Sequence, residues 1–130
     1  MKLQPDQFDA PSISSYGPGW ITIAGEKIDA SIVLGSRGQR FAWDCAAFEQ
    51  LSAEHFARLV EPGVEMVIFG SGCALRFPKP EWTRPLVAAQ IGIETMDTQA
   101  ACRTYNILAG EGRNVVVALL LEPPAPLTGA

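Results

Sequence analysis

The sequence predicts an α/β domain: a central mixed β-sheet flanked by helices, preceded by an N-terminal β-hairpin. Three observations carry this. Strand-like and helix-like segments alternate from Ser52 onward. Two apolar runs, Val64 to Phe69 and Val115 to Leu121, read as strands buried on both faces. Ahead of them, Trp20 to Ala24 and Lys27 to Leu34 are rich in Ile, Val and Thr and are separated by Gly25-Glu26, which reads as a hairpin.

Residues 1–18 are polar and broken by Pro5, Pro11 and Pro18, so an irregular segment is expected there. One α/β domain then spans 19–121, and 122–130, with three prolines, reads as a flexible tail. After the hairpin, Gly35 to Gly38 forms a turn and Phe41 to Trp43 a short strand. Ser52 is placed to cap a helix running to about Val60, with Leu51 and Phe56 stapling its start and Pro62-Gly63 stopping it. Pro85 fits best in a first helical turn, which predicts a helix from about Thr83 to Gln90. Ile91 to Met96 reads as a strand. Asp97 or Thr98 caps a third helix to about Ala109, closed by Gly110 and Gly112. Right-handed crossovers make the strands ending at Phe69 and Met96 parallel, with their carboxyl ends on one edge, where open α/β sheets bind ligands.

Length and composition narrow the function classes. A chain of 130 residues, 48% hydrophobic and 18% charged, is a single globular domain, not a disordered segment. A net charge of −4, without a clustered basic face, argues against nucleic acid as a partner. No apolar run approaches the roughly 20 residues of a membrane span. The first fifteen residues carry neither a secretory signal nor an Arg-rich transit pattern. Cys45, Cys73 and Cys102 include no CxxC pair and read as reduced thiols in a cytoplasm.

Two constellations carry the site reading. Gly70-Ser71-Gly72 after a strand begins like a dinucleotide fingerprint, but Leu75 occupies the third glycine position and Pro78 and Pro80 block the helix that should follow. A tight turn needing positive φ accounts for these glycines. The same turn, with Cys73, Arg76, Lys79 and Arg84 after it, could instead cradle a carboxylate or phosphate. The second constellation is Glu94, Asp97 and Arg103. Asp97 is explained by capping; a buried Glu94 would need a partner such as Arg103, as a structural ion pair or as a general acid or base. The lone His55 lies on a polar helix face, so neither a Cys–His nucleophile nor a zinc site is expected. No cofactor or metal is implied.

The run from Gly92 to Leu108 (GIETMDTQAACRTYNIL), closing with Glu111-Gly112-Arg113, resembles the hallmark of a small domain family of unknown function. That family includes a mitochondrial assembly factor for respiratory complex I. Val67 to Gly72 with Phe77-Pro78 is similar to its other characteristic turn, and Tyr16-Gly17 with Trp43 is compatible with its opening, so the resemblance covers Ser15 to Leu121. It implies a three-layer domain around a central mixed sheet and supplies no catalytic mechanism. For the mitochondrial relative it implies helping membrane-complex subunits assemble through protein contacts. The missing transit pattern points to a bacterial, cytoplasmic member. The expected function is therefore a non-enzymatic protein-interaction module, assisting assembly of a respiratory, complex I-like membrane complex. The alternative is a small anionic-ligand binder or enzyme using Gly70, Ser71, Gly72, Cys73 and Arg76 with Glu94, Asp97 and Arg103.

Overall fold

The computed structural model describes residues 12–123. Five strands form the central sheet: β4 (Ile32–Gly35), β5 (Arg40–Ala42), β6 (Met66–Gly70), β7 (Gly92–Met96) and β8 (Val115–Leu119), in the order β5-β4-β8-β6-β7. The sheet is mixed. β8 runs antiparallel to β4 and parallel to β6, and β6 runs parallel to β7. All five residues of β8 are buried, as its uninterrupted apolar run predicts for the central strand.

Side chains leaving the sheet in opposite directions build two cores. On one face Val33, Val67, Phe69, Val116 and Ala118 pack with Trp43, Phe56, Trp82 and Leu86 under α1 (Ala53–Ala57) and α2 (Pro80–Ala88). On the other, Leu34, Ile68, Val117 and Leu119 meet Ala101, Cys102, Tyr105 and Ala109 of α3 (Thr98–Gly110). A small antiparallel sheet of β1 (Ile13–Gly17), β2 (Trp20–Ile23) and β3 (Glu26–Ile28) lies beside α3, contributing Ile13, Ile21 and Ile23 to that second core. Helices, central sheet, and helix with small sheet make the three layers.

Several elements depart from the sequence reading for local reasons. The segment expected to be irregular up to Pro18 contains β1, paired to β2 and closed by Asn106 of α3: the Ile13 amide donates to Asn106 Oδ1 at 2.9 Å, and Asn106 Nδ2 donates to the Ile13 carbonyl at 2.8 Å. The rest of that segment, 1–11, and residues 124–130 of the expected tail lie outside the described residues. The hairpin turn is Ala24-Gly25, both at positive φ (51° and 83°), rather than Gly25-Glu26. The strand expected from Lys27 to Leu34 is two strands in different sheets, parted at 29–31, where the Ser31 hydroxyl accepts from the Leu121 amide. α1 ends at Ala57; Ser52 holds the N-cap position, but its hydroxyl bonds His55 Nδ1 at 3.0 Å instead of a backbone amide. α2 starts at Pro80, whose fixed φ suits a first helical position, so Pro85 falls inside the helix. The carbonyl thereby deprived of an intrahelical donor belongs to Glu81, an exposed residue. α3 begins as expected, with Asp97 Oδ1 accepting from the Ala100 amide at 2.9 Å. No helix among the described residues is long and apolar enough to cross a membrane.

Candidate functional site

β6 delivers the chain to Gly70 at the carboxyl edge of the parallel strands. A Cβ there would stand 3.0 Å from Thr98 Cα and 3.1 Å from Ala101 Cβ and Leu119 Cδ2, so glycine lets α3 seat its first turn against the sheet. Ser71 continues the ladder, its amide donating to the Met96 carbonyl at 2.9 Å. Gly72 then reverses the chain at φ 101°. Thr98, which is buried, fastens three segments at this point. Its hydroxyl accepts from the Gly72 amide at 2.8 Å and donates to the Leu120 carbonyl at 2.9 Å, while its own amide donates to the Gly72 carbonyl at 2.8 Å.

The polar groups of the turn are engaged with one another. Ser71 Oγ donates to the Ala74 carbonyl at 2.7 Å and accepts from the Arg76 amide at 2.9 Å. Among the described residues no basic side chain is bonded to this hydroxyl. The Arg76 guanidinium donates to the Ser71 carbonyl at 2.7 Å and to Glu122 Oε1 at 2.6 Å, and its carbon lies 4.8 Å from the Phe48 ring centre. Glu122 Oε2 in turn accepts from the Phe48 amide at 3.3 Å. Arg76 therefore already holds its anion, a carboxylate of this chain.

Above the turn lies a cleft of about 430 Å³. Its walls are the Gly17-Pro18-Gly19 turn between β1 and β2, the glycine turn at Gly72 and Cys73, the start of α3 at Asp97 to Gln99, and the exit of β8 from Leu120 to Pro123. Of the residues expected at a site, Gly72, Cys73 and Asp97 line it; Gly70, Ser71 and Arg76 do not. Glu94 and Arg103 are not brought together. β7 is an edge strand, so Glu94 is exposed and needs no counter-ion, and Arg103 instead donates to the Tyr16 hydroxyl at 3.2 Å. The expected Glu94–Arg103 ion pair is absent among the described residues.

The charged residues lining the cleft are Asp97 and Glu122, and no Lys or Arg lines it. Lys79, expected near the turn, sits 5.5 Å from the Trp82 ring centre, and Arg84 is exposed on α2. Sequence reasoning missed the Gly17-Pro18-Gly19 wall, Thr98 as a fastening residue, and Glu122. The first had a signal in its glycine-proline-glycine turn; Glu122 had none.

The thiols divide by burial. Cys73 is exposed at the cleft, whereas Cys45 and Cys102 are buried. Burial raises the Cys45 thiol pKa and pushes that of Cys102 up to about 12, which keeps both protonated at neutral pH. His55, placed by the sequence on a polar helix face, has both ring nitrogens engaged, Nδ1 by Ser52 Oγ and Nε2 by the Asp44 carbonyl at 2.7 Å. Among the described residues no group of three His, Cys, Asp or Glu side chains is placed to hold a metal.

A three-layer domain, a mixed five-stranded sheet and a cleft at the carboxyl edge of its parallel strands define the class of fold. The chain belongs to the family described as "Protein of unknown function (DUF498/DUF598)", whose model matches residues 13–120. It is 31% identical over 124 residues to the mouse protein named NADH dehydrogenase [ubiquinone] 1 alpha subcomplex assembly factor 3, covering 94% of this chain. The chain spans 66% of that relative's length, just under two thirds. An uncharacterised protein of Rhodobacter capsulatus is 30% identical, with 94% of each chain covered. The crystal structure of a Bordetella parapertussis protein superposes with a TM-score of 0.79 at 36% identity, over 87% of this chain and 97% of that one.

Proposed function

We propose that this domain is a non-enzymatic protein-interaction module that assists assembly of a respiratory, complex I-like membrane complex from the cytoplasmic side. One observation of the structure carries the reading. Arg76 is pinned inward by Ser71 and Glu122, and the residues on either side of it face out: Leu75 is 54% exposed and Phe77 69%. A firmly held loop that presents two bulky apolar side chains supports a contact surface there, since a partner covering them would remove apolar area from water. The kinship to a named complex I assembly factor supplies the kind of partner. The exposed thiol of Cys73 suits a reducing compartment.

The alternative, a binder or enzyme for small anions at the glycine turn, finds no cation in the cleft lining to support it. A photo-crosslinking amino acid at position 77, expressed in the native host, tests the leading reading. Adducts to respiratory-complex subunits are expected. Recovery of no respiratory subunit across repeated experiments would remove it, and a rise in Tm that scales with phosphate or carboxylate concentration would restore the alternative.

A further inference from the structure

We infer that the cleft and the outer face of α3 form one docking surface for a polypeptide segment bearing a bulky apolar residue about one helical turn from an acidic residue. This deepens the partner-binding reading and rests on it. The cleft supplies the apolar half. Gly17, Pro18, Gly19 and Pro123 line it beside the almost fully covered Leu120 and Leu121, and its two carboxylates are engaged, Asp97 as the cap of α3 and Glu122 by Arg76. A concave space of about 430 Å³ whose two carboxylates are both held in place accepts a Leu- or Phe-sized side chain.

Arg103 supplies the charged half. It is exposed, donates to the Tyr16 hydroxyl at 3.2 Å, and forms no ion pair among the described residues. Two routes join it to the cleft. Gln99, which lines the cleft, lies four residues earlier on the same helix face, and Tyr16 immediately precedes Gly17 of the opposite wall. Ile107, 61% exposed, continues the stripe one turn further. A guanidinium oriented beside an apolar hollow selects a carboxylate that accompanies an apolar anchor.

The test titrates the ¹⁵N-labelled full chain with acetyl-Phe-Ala-Ala-Glu-amide, followed by NMR. Saturable shifts are expected at Gly17, Gly19, Gly72, Gln99 and Arg103. The Lys-ended peptide should bind about three- to fivefold more weakly, the scale of one exposed ion pair, and the peptide with Ala in place of Phe more weakly still. Arg103→Glu should reverse the charge preference, a gain that unfolding cannot mimic. Absence of saturable shifts, shifts confined to Leu75 and Phe77, or equal binding of the Glu- and Lys-ended peptides would overturn the inference. Crosslinks from position 77 persisting in the Arg103→Glu protein would leave the partner-binding reading intact while this surface failed; losing crosslinks from wild type as well would remove both.

Discussion

Arg76 reaches across 46 positions to Glu122, and the 2.6 Å contact between them ties the glycine turn to the exit of β8. The pair is partly shielded, with side chains 30% and 19% exposed, and it sits over the Phe48 ring. Removing the guanidinium leaves Glu122 Oε1 and the Ser71 carbonyl without its bonds, while Glu122 Oε2 keeps the Phe48 amide. Arg76→Ala should therefore cost about 1–2 kcal/mol, the value for charge-assisted bonds reduced for partial screening. Lysine cannot reproduce the forked donor geometry and should restore little. Urea unfolding measures this, and a loss below about 0.5 kcal/mol would mean the contact is incidental.

Gly70 has a different constraint, imposed by space alone. A methyl group there meets the backbone of Thr98 and the side chains of Ala101 and Leu119 at 3.0–3.1 Å. Gly70→Ala is expected to destabilise by about 1–3 kcal/mol through overpacking. Each kcal/mol corresponds to roughly 3–6 °C in Tm at this size. An unchanged melting temperature would show that α3 can move away from the sheet without cost.

Tyr105 is fully buried, and its hydroxyl has no hydrogen-bond partner. Deleting an unsatisfied buried hydroxyl removes a desolvation penalty while keeping the ring. Tyr105→Phe should be neutral or stabilising by up to about 1 kcal/mol. A clear loss of stability would reveal a buried water bound at that oxygen.

Cys102 and Tyr105 also set an alkaline limit. Burial raises both groups, Cys102 from an ordinary value of 9.0 to about 12, so the folded state keeps protons that the unfolded chain releases. The associated stability is fully present below pH 9 and is lost as pH rises from about 9 towards 12. Unfolding midpoints measured across that window should fall more steeply for wild type than for Cys102→Ala. Iodoacetamide at pH 8 should modify native protein at Cys73 alone and reach Cys45 and Cys102 only after denaturation. Native labelling of Cys102 would contradict its burial.

The central architecture was legible because its signals are local. The apolar run of β8 marks a strand buried on both faces, and Asp97 followed by a helical period marks α3. β1 was not legible, since Ser14 and Ser15 give it no apolar alternation and its edge is satisfied by Asn106, distant in sequence. The parting of β3 from β4 was equally hidden. Ile28 and Ile32 are both apolar, and nothing local says that they serve different sheets. At the site, the sequence located the glycine turn and the helix start. It read Asp97 as the cap of α3, whereas the pairing of Arg76 with Glu122 and the exposure of Glu94 follow only from strand order.

β8 belongs to both cores at once. Val116 and Ala118 face the aromatic side, while Val115, Val117 and Leu119 face α3. Inserting or deleting one residue within it would exchange the two sets, forcing the small residues of one core into the mould of the other. Insertions and deletions are therefore expected to be tolerated in the connectors, such as those at 24–25, 36–39 and 111–114, while the strand itself can change composition but not count.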